Sequence, residues 1–250
     1  MPEGPSIVIL KELIEPLQLV GKTVNSVAGN TSIDKERMLH QEVKAIRSWG
    51  KHFLICFENF SLRIHFMLFG SYRINERKES AARLTLQFDD AELNFYACSV
   101  QYVEGDSGDT YDWSADVMSP DWDPEQAKAK LRNNPRMLAC DALLNQDIFA
   151  GVGNIIKNEV LYRIHVHPAS EVGALPDELL QALTDEASHY SFQFLEWKKE
   201  FTLKKHWLAH TKKICHRCEL PMQKIHMGKT NRRTFFCTNC QQLYTLTSSK

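Results

Sequence analysis

Long apolar runs are absent from this sequence, since no stretch approaches the ~20 consecutive apolar residues that a membrane-spanning helix needs. The first apolar run is short and is interrupted by Lys11, Glu12 and Glu15, so we expect no signal peptide. Internal repeats and low-complexity tracts are absent too, which argues against a repeat array. These absences predict a folded cytoplasmic protein without membrane association, in a compartment where disulfides are rare.

Acidic residues are nearly absent from the last part of the chain. Residues 201–250 contain a single acid, Glu219, and ten basic residues: Lys204, Lys205, Lys212, Lys213, Arg217, Lys224, Lys229, Arg232, Arg233 and Lys250. The whole chain has a net charge of −1, so this basic segment follows an acidic body. That distribution is typical of a module that binds a phosphate backbone, although a lysine-rich surface facing solvent has the same composition.

The spacing of apolar residues changes along the chain and predicts two kinds of structure. Ser6 is expected to cap a helix over residues 6–15. Between residues 43 and 102 short apolar runs alternate with polar residues, and residues 52–57 and 61–66 are predicted to form a hairpin. This pattern predicts an antiparallel β-sandwich or barrel-like domain. Beyond residue 124 the spacing becomes helical, with helices expected over 126–132, 136–144, 154–162 and 176–197.

Seven cysteines divide into three scattered ones and four with a regular spacing. Cys56, Cys98 and Cys140 lie in apolar patterns and are expected to be buried thiols. The other four form two Cys-x-x-Cys pairs, which are Cys215 with Cys218 and Cys237 with Cys240. Four thiolates at this spacing predict one tetrahedral, structural Zn²⁺ site with no open position for catalysis.

A glycine-rich turn separates two of the predicted helices. Gly151 and Gly153 would let the backbone approach a ligand closely, and a helix starting at Asn154 would direct its N–H groups at an anion. The same residues also fit a tight turn between helices that Asn154 caps.

The sequence begins Met1-Pro2-Glu3-Gly4-Pro5. Removal of Met1 would expose the secondary amine of Pro2 next to the carboxylate of Glu3. An α-amino group has a pKa of roughly 7.7–8.0, so part of it is uncharged at neutral pH and able to attack an aldehyde-like carbon. A frayed terminus is the alternative interpretation.

Further candidate residues lie in the predicted sheet. Lys51 follows Gly50 before a strand, and His65 lies on the partner strand. The apolar tip of Met67, Leu68 and Phe69 is either part of the core or a wedge that enters a stack of bases.

Together these motifs resemble the bacterial formamidopyrimidine-DNA glycosylase/endonuclease VIII family over essentially the whole chain. The matching segments are 1–5, 50–51, 65–70, 150–155 and 232–241. The resemblance implies an α+β multidomain protein: an amino-terminal β-sandwich (1–122), a helix–two-turn–helix domain (123–205) and a zinc-finger hairpin (206–250). It also implies damaged double-stranded DNA as the partner, bound in the cleft between domains by a monomer.

The resemblance assigns a role to each candidate residue. Pro2 would be the nucleophile and Glu3 the general acid of a bifunctional DNA glycosylase and abasic-site lyase in base-excision repair. Lys51, Asn154 and Arg232 would hold phosphates, with His65 as a helper. Met67, Leu68 and Phe69 would fill the gap left by the flipped nucleotide.

Several segments favour the endonuclease VIII branch and therefore oxidised pyrimidines as substrates. Residues 96–101 stand where the 8-oxoguanine branch has Asp-Pro-Arg-Arg-Phe-Gly, and residues 208–211 lack that branch's Tyr-Gly-Arg. Ser6 stands where the family usually has a second glutamate. The alternatives are an 8-oxoguanine or formamidopyrimidine glycosylase and, in another class, a non-catalytic zinc-ribbon protein that binds DNA.

Overall fold

A computed structural model describes residues 2–105 and 107–246. The chain forms two compact units, Met1–Asp112 and Trp113–Lys250. The predicted division at residues 122 and 205 into three domains stays a prediction. Within the described ranges, no helix combines the length and the apolar character that crossing a bilayer requires.

The first unit consists of helices α1 and α2 and an antiparallel sheet. The elements are α1 (Gly4–Ile14), β1 (Ser26–Ala28), β2 (Ala45–Trp49), β3 (His52–Cys56), β4 (Phe60–Ile74), β5 (Leu84–Gln87), β6 (Glu92–Glu104) and α2 (Ser107–Thr110). The strands follow the order β1-β5-β6-β4-β3-β2. The long strands β4 and β6 pair along most of their length and join the two halves of the sheet.

Alternation along these strands explains the amino-terminal β-sandwich, which is confirmed. Leu62, Ile64 and Phe66 of β4 are buried together with Leu93 and Phe95 of β6 in one apolar core. Side chains of a strand point alternately to its two faces, so every second residue reaches this core. The predicted hairpin is also confirmed, because β3 pairs with β4 in antiparallel register.

Helix α1 begins earlier than the sequence pattern predicted. Its first residue is Gly4, Glu3 occupies the capping position, and Ser6 lies inside the first turn, so the predicted cap at Ser6 is wrong. Pro5 explains the difference, because a proline fits the first turn of a helix, where its missing N–H needs no partner. Ile7, Leu10 and Ile14 are fully buried and attach the helix to the sheet.

The described part of the second unit, residues 113–246, contains four α-helices and a two-stranded hairpin. The elements are α3 (Pro124–Arg132), α4 (Ala139–Leu144), α5 (Asn154–Arg163), α6 (Asp177–Lys199), β7 (Gln223–Met227) and β8 (Arg232–Phe236). Asp123 caps α3 by accepting from the N–H groups of Glu125 and Gln126. Each predicted helix is present, and their apolar faces form a second core that includes Leu183, Ala187 and Phe194 of α6.

Candidate functional site

The amino terminus is held at the start of α1. Pro2 is partly exposed, whereas Glu3 is only 4% exposed. The Glu3 carbonyl accepts a hydrogen bond from the N–H of Ser6 at 2.8 Å, which fixes the backbone just before the helix. The structure therefore places a buried carboxyl group directly beside the residue that sequence predicted as a nucleophile. Met1, whose removal the prediction requires, lies outside the described residues.

Lys51 and His65 lie close together in the first unit. Lys51 occupies the tight turn between β2 and β3, where Gly50 adopts the left-handed backbone conformation (φ 53°). The ring of His65 hydrogen-bonds to the backbone of Lys51. This contact links the turn to β4, so the two residues predicted to bind phosphate form one local group.

A second histidine lies behind His65. His52 is its cross-strand partner, and the two ring centroids are 5.3 Å apart. The rings of Trp49 and Tyr111 also contact His52. Burial, reinforced by the positive charge of Arg63, lowers the pKa of His52 to about 3. Burial also lowers the pKa of His65, so both rings are neutral near pH 7.

The apolar tip predicted as a wedge is a bulge of β4. Phe66 pairs with Cys98 and Ser71 pairs with Tyr96, so residues 67–70 all lie opposite Ala97. The extra length pushes the tip away from the core: Met67, Leu68 and Phe69 are 51%, 61% and 84% exposed. The alternative interpretation of these residues as core is therefore wrong.

Gly70 permits this bulge. A Cβ atom at this position would lie 2.6 Å from Phe66 Cβ and 3.0 Å from the carbonyl oxygen of Ala97. Any side chain here would force the bulge apart.

The four regularly spaced cysteines form one cluster in the second unit. All four Sγ atoms of Cys215, Cys218, Cys237 and Cys240 lie within 4.8 Å of one another. Four sulfur ligands in this arrangement suit a tetrahedral metal ion. The other three cysteines, Cys56, Cys98 and Cys140, are buried, as predicted, and are not part of this cluster.

The glycine turn before α5 is held by one glutamine. The side-chain amide of Gln146 donates to the carbonyl oxygens of Leu144 (2.9 Å) and Val152 (3.2 Å) and accepts from the N–H of Gly151 (3.2 Å). Gly151 needs its freedom here, because its φ is 96°. Asn154 is the first residue of α5 rather than its cap, which is Gly153.

The structure brings Asn154 into contact with β8, the strand that begins with Arg232, the other phosphate candidate of this unit. Asn154 Nδ2 donates to the carbonyl oxygen of Arg233 at 2.9 Å. Arg232 itself is exposed at the start of β8, immediately after the hairpin turn. The turn is attached to α4, because the N–H of Lys229 donates to Asp141 Oδ1 at 2.9 Å.

Helix α5 carries a buried polar edge that sequence reasoning missed. Lys157, Asn158 and Glu159 are at most 1% exposed. The Glu159 carboxylate accepts the backbone N–H groups of residues 208, 209 and 210 at 2.7–2.9 Å. The side chain of Asn158 accepts the N–H of Phe235 at 3.3 Å. Lysine, asparagine and glutamate are mostly exposed in folded proteins, so no local signal marks these three residues as buried.

Each of the two units contains a region that matches a known protein-family domain. Residues 1–98 match the formamidopyrimidine-DNA glycosylase N-terminal domain, and residues 114–200 match the formamidopyrimidine-DNA glycosylase H2TH domain. The chain belongs to the formamidopyrimidine-DNA glycosylase/endonuclease VIII family.

Individual relatives extend the comparison. The chain is 30% identical to endonuclease 8-like 3 of Xenopus laevis over 210 residues, covering 79% of this chain and 34% of that protein. It is 27% identical to the DNA-(apurinic or apyrimidinic site) lyase Nei2 of Mycolicibacterium smegmatis, covering 96% and 99% of the two chains. The chain thus spans about a third of the length of the endonuclease 8-like 3 proteins it matches.

A solved structure shares the fold. The formamidopyrimidine-DNA glycosylase of Lactococcus lactis, non-covalently bound to DNA containing an abasic site, superimposes with a TM-score of 0.82 at 22% identity. The match covers 96% of this chain and 99% of that one.

We predict that His52 makes the first unit less stable in acid. Its pKa of about 3 in the folded protein lies below the value of about 6.5 in an unfolded chain. Between these values the unfolded chain binds a proton that the folded one does not, so stability present above pH ~6.5 is lost as the pH falls. We expect the free energy of unfolding in urea to fall less between pH 7.5 and pH 5 for His52→Phe than for the wild type.

The matched control is His40→Gln, which alters an exposed histidine of the same unit. It should leave the pH dependence unchanged. An equal loss of stability in His52→Phe and the wild type would contradict a neutral, buried His52.

Proposed function

We propose that this protein is a base-excision-repair enzyme that removes damaged bases from double-stranded DNA and then cleaves the strand at the abasic site. The observation that carries the proposal is the amino terminus, where partly exposed Pro2 precedes the buried carboxyl group of Glu3 in a segment that matches the family's N-terminal domain. The name of the Nei2 relative, an abasic-site lyase, supports the same activity.

In this proposal Pro2 supplies the nucleophile. After loss of Met1, the uncharged nitrogen donates its electron pair to C1′ of the damaged nucleotide, while Glu3 donates a proton to the sugar ring oxygen. The bond between C1′ and the base then breaks, and the base leaves with the bonding electrons and takes up the proton that the nitrogen loses. The bond between C1′ and the protonated ring oxygen breaks next, which opens the sugar, and the nitrogen electron pair forms a double bond to C1′. The resulting iminium makes the neighbouring sugar protons acidic, so β- and then δ-elimination expel the two flanking phosphates.

The remaining candidate residues would position the DNA. Lys51 and His65 in the first unit and Asn154 and Arg232 in the second would hold phosphates beside the flipped nucleotide. Exposed Met67, Leu68 and Phe69 would occupy the gap that flipping leaves in the stack, offsetting part of its cost of a few kcal/mol.

We further propose that the preferred substrates are oxidised pyrimidines, as in the endonuclease VIII branch. Residues 98–101 of β6 contain no arginine that could donate two hydrogen bonds to a cytosine opposite the lesion. The similarity to endonuclease 8-like 3 and Nei2 supports this assignment. An 8-oxoguanine or formamidopyrimidine glycosylase is the alternative within the family.

The cysteine cluster would hold one structural Zn²⁺. Thiolate ligands favour this ion, and four protein ligands leave no position for a substrate. Every side chain of β7 except Met227 is exposed, so the hairpin has little core of its own. The metal would therefore supply part of its folding free energy. The protein would act as a monomer on the nucleoid in the cytoplasm of a bacterium.

The nucleophile can be tested by trapping. We expect the protein to form a covalent adduct with abasic DNA in borohydride once an aminopeptidase has removed Met1, because borohydride reduces the iminium to a stable amine. The chain that keeps Met1 should form none, since its Pro2 nitrogen is an amide. Pro2→Gly is the matched control and should retain weak trapping. Equal trapping with and without Met1 would show that Pro2 is not the nucleophile, and no trapping in any form would favour a non-catalytic DNA-binding protein.

The metal can be tested by substitution. Cys237→Ser should lower the zinc content, measured by atomic emission, below one ion per chain, because three ligands hold the ion less well. The hairpin should then unfold. Binding to a non-cleavable abasic duplex should weaken, while the first unit keeps its amide hydrogen-exchange protection. Cys140→Ser, which alters a buried cysteine outside the cluster, should keep its zinc. A variant Cys237→Ser with full zinc and an intact hairpin would contradict the assignment.

The substrate preference predicts relative rates. Thymine glycol should be excised faster than 8-oxoguanine opposite cytosine, measured under single-turnover conditions in one duplex sequence. A missing bidentate contact removes roughly 1–3 kcal/mol of discrimination for the opposite base, and a non-planar pyrimidine stacks poorly and is easily flipped. Faster excision of 8-oxoguanine would instead support the alternative glycosylase.

A further inference from the structure

Lys157 connects the two phosphate candidates of the second unit through hydrogen bonds. Its side chain is fully buried, and Nζ lies 3.0 Å from Asn154 Oδ1 and 2.8 Å from Thr234 Oγ1. The Thr234 hydroxyl in turn donates to the carbonyl oxygen of Arg232 at 3.1 Å. One ammonium group therefore contacts Asn154 directly and reaches the backbone of Arg232 through a single hydroxyl.

The chemistry of these groups fixes the orientation of the Asn154 amide. An ammonium group donates hydrogen bonds and accepts none, so it must face the amide oxygen. The carbonyl oxygen of Arg233 accepts only, so it must face the amide nitrogen, 2.9 Å away. Rotating the amide by 180° would bring two donors together on one side and two acceptors together on the other. Lys157 thus excludes the flipped form.

The fixed amide has a consequence for anion binding. Asn154 Nδ2 carries two N–H groups, and only one can point at Arg233. The amide nitrogen of Asn154 faces β8, the strand that begins with exposed Arg232. Its second N–H group can therefore donate to an anion beside Arg232. A flipped amide would present its oxygen to an anion and repel it.

Burial of the lysine adds a second effect. Lys157 lies one turn into α5, behind the helix start, where the free N–H groups and the helix dipole already favour negative charge. A positive charge in the interior is screened less by salt than one on the surface. Its field therefore acts on an anion at Asn154 without contacting it.

We propose that Lys157 is a positioning residue that fixes the Asn154 amide as a donor and couples it to Arg232 through Thr234, so that both residues engage the same strand of DNA. This inference rests on the proposed function, because it takes Asn154 and Arg232 as phosphate ligands. Lys157 itself touches no substrate.

The first test needs no DNA. In Lys157→Met, which keeps the length and apolar stem of the side chain, the ¹⁵N side-chain amide signals of Asn154 should shift and lose their protection from hydrogen exchange. The matched control is Lys128→Met, which removes a lysine that is 8% exposed and bonded to Gln181 in the same unit. The control should leave the Asn154 signals unchanged. Unchanged Asn154 signals in a folded Lys157→Met would overturn the inference.

The second test measures affinity for a duplex that carries a tetrahydrofuran abasic analogue. Loss of a hydrogen bond to a charged group corresponds to a factor of about 10 or more in affinity. Asn154→Ala and Lys157→Met should each weaken binding by about that factor, and Lys128→Met should not. The double variant of Asn154→Ala and Lys157→Met should bind about as well as Asn154→Ala alone, because residues in one network are not additive. Fully additive losses would overturn the coupling.

Two further variants keep the proposal open to refutation if Lys157→Met does not fold. Thr234→Val removes the link to Arg232 but keeps Lys157, and Lys157→Gln keeps a donor without the charge. Thr234→Val should weaken binding less than Arg232→Ala. Lys157→Gln should keep the Asn154 signals and weaken binding with little change in its salt dependence, because the charge that it removes is buried. Wild-type binding by both variants would overturn the inference.

The proposed function fails in a different way. If Asn154→Ala and Arg232→Ala both bind the duplex with wild-type affinity, neither residue holds a phosphate. The altered amide signals of Lys157→Met would still establish its contact with Asn154, so the two failures are distinguishable.

Discussion

The buried polar edge of α5 is the constraint on which the second unit depends. Four of the five residues of β7 and the first two of β8 are exposed, whereas Thr234, Phe235 and Phe236 at the end of β8 are buried. Hydrogen bonds to α5 help to set the position of the hairpin, since Asn154, Lys157 and the next residue, Asn158, each bond to β8. Buried polar groups of this kind cost free energy unless all are satisfied, so they favour one arrangement of the hairpin over all others.

In the first unit the candidate groups emerge where regular structure is interrupted. Pro2 precedes a helix, Lys51 lies in a two-residue turn, and residues 67–69 lie in a bulge of β4. Backbone at such points leaves the hydrogen-bonded ladder and directs side chains away from the core. The surrounding sheet supplies rigidity, so the exposed groups are held in place without being buried.

Charge is arranged differently in the two units. In the first, His52 and His65 are kept neutral by burial, so Lys51 and Arg63 supply the positive charge beside them. In the second, Lys157 is buried near the start of α5 and Arg232 is exposed at the start of β8. A buried positive charge close to an exposed one strengthens the attraction for an anion, and the exposed group stays accessible to it.

Sequence alone determined the features that depend on residues close together in the chain. The two Cys-x-x-Cys pairs, the β3–β4 hairpin and the long α6 helix all follow from local spacing, and the family motifs indicated the fold. Tertiary structure decided the rest. The contact of Lys157 with Thr234 joins residues 77 positions apart, and that of Asp141 with Lys229 joins residues 88 apart. From sequence alone a polar side chain is predicted to face solvent, because its burial and its hydrogen-bond partners depend on the folded chain.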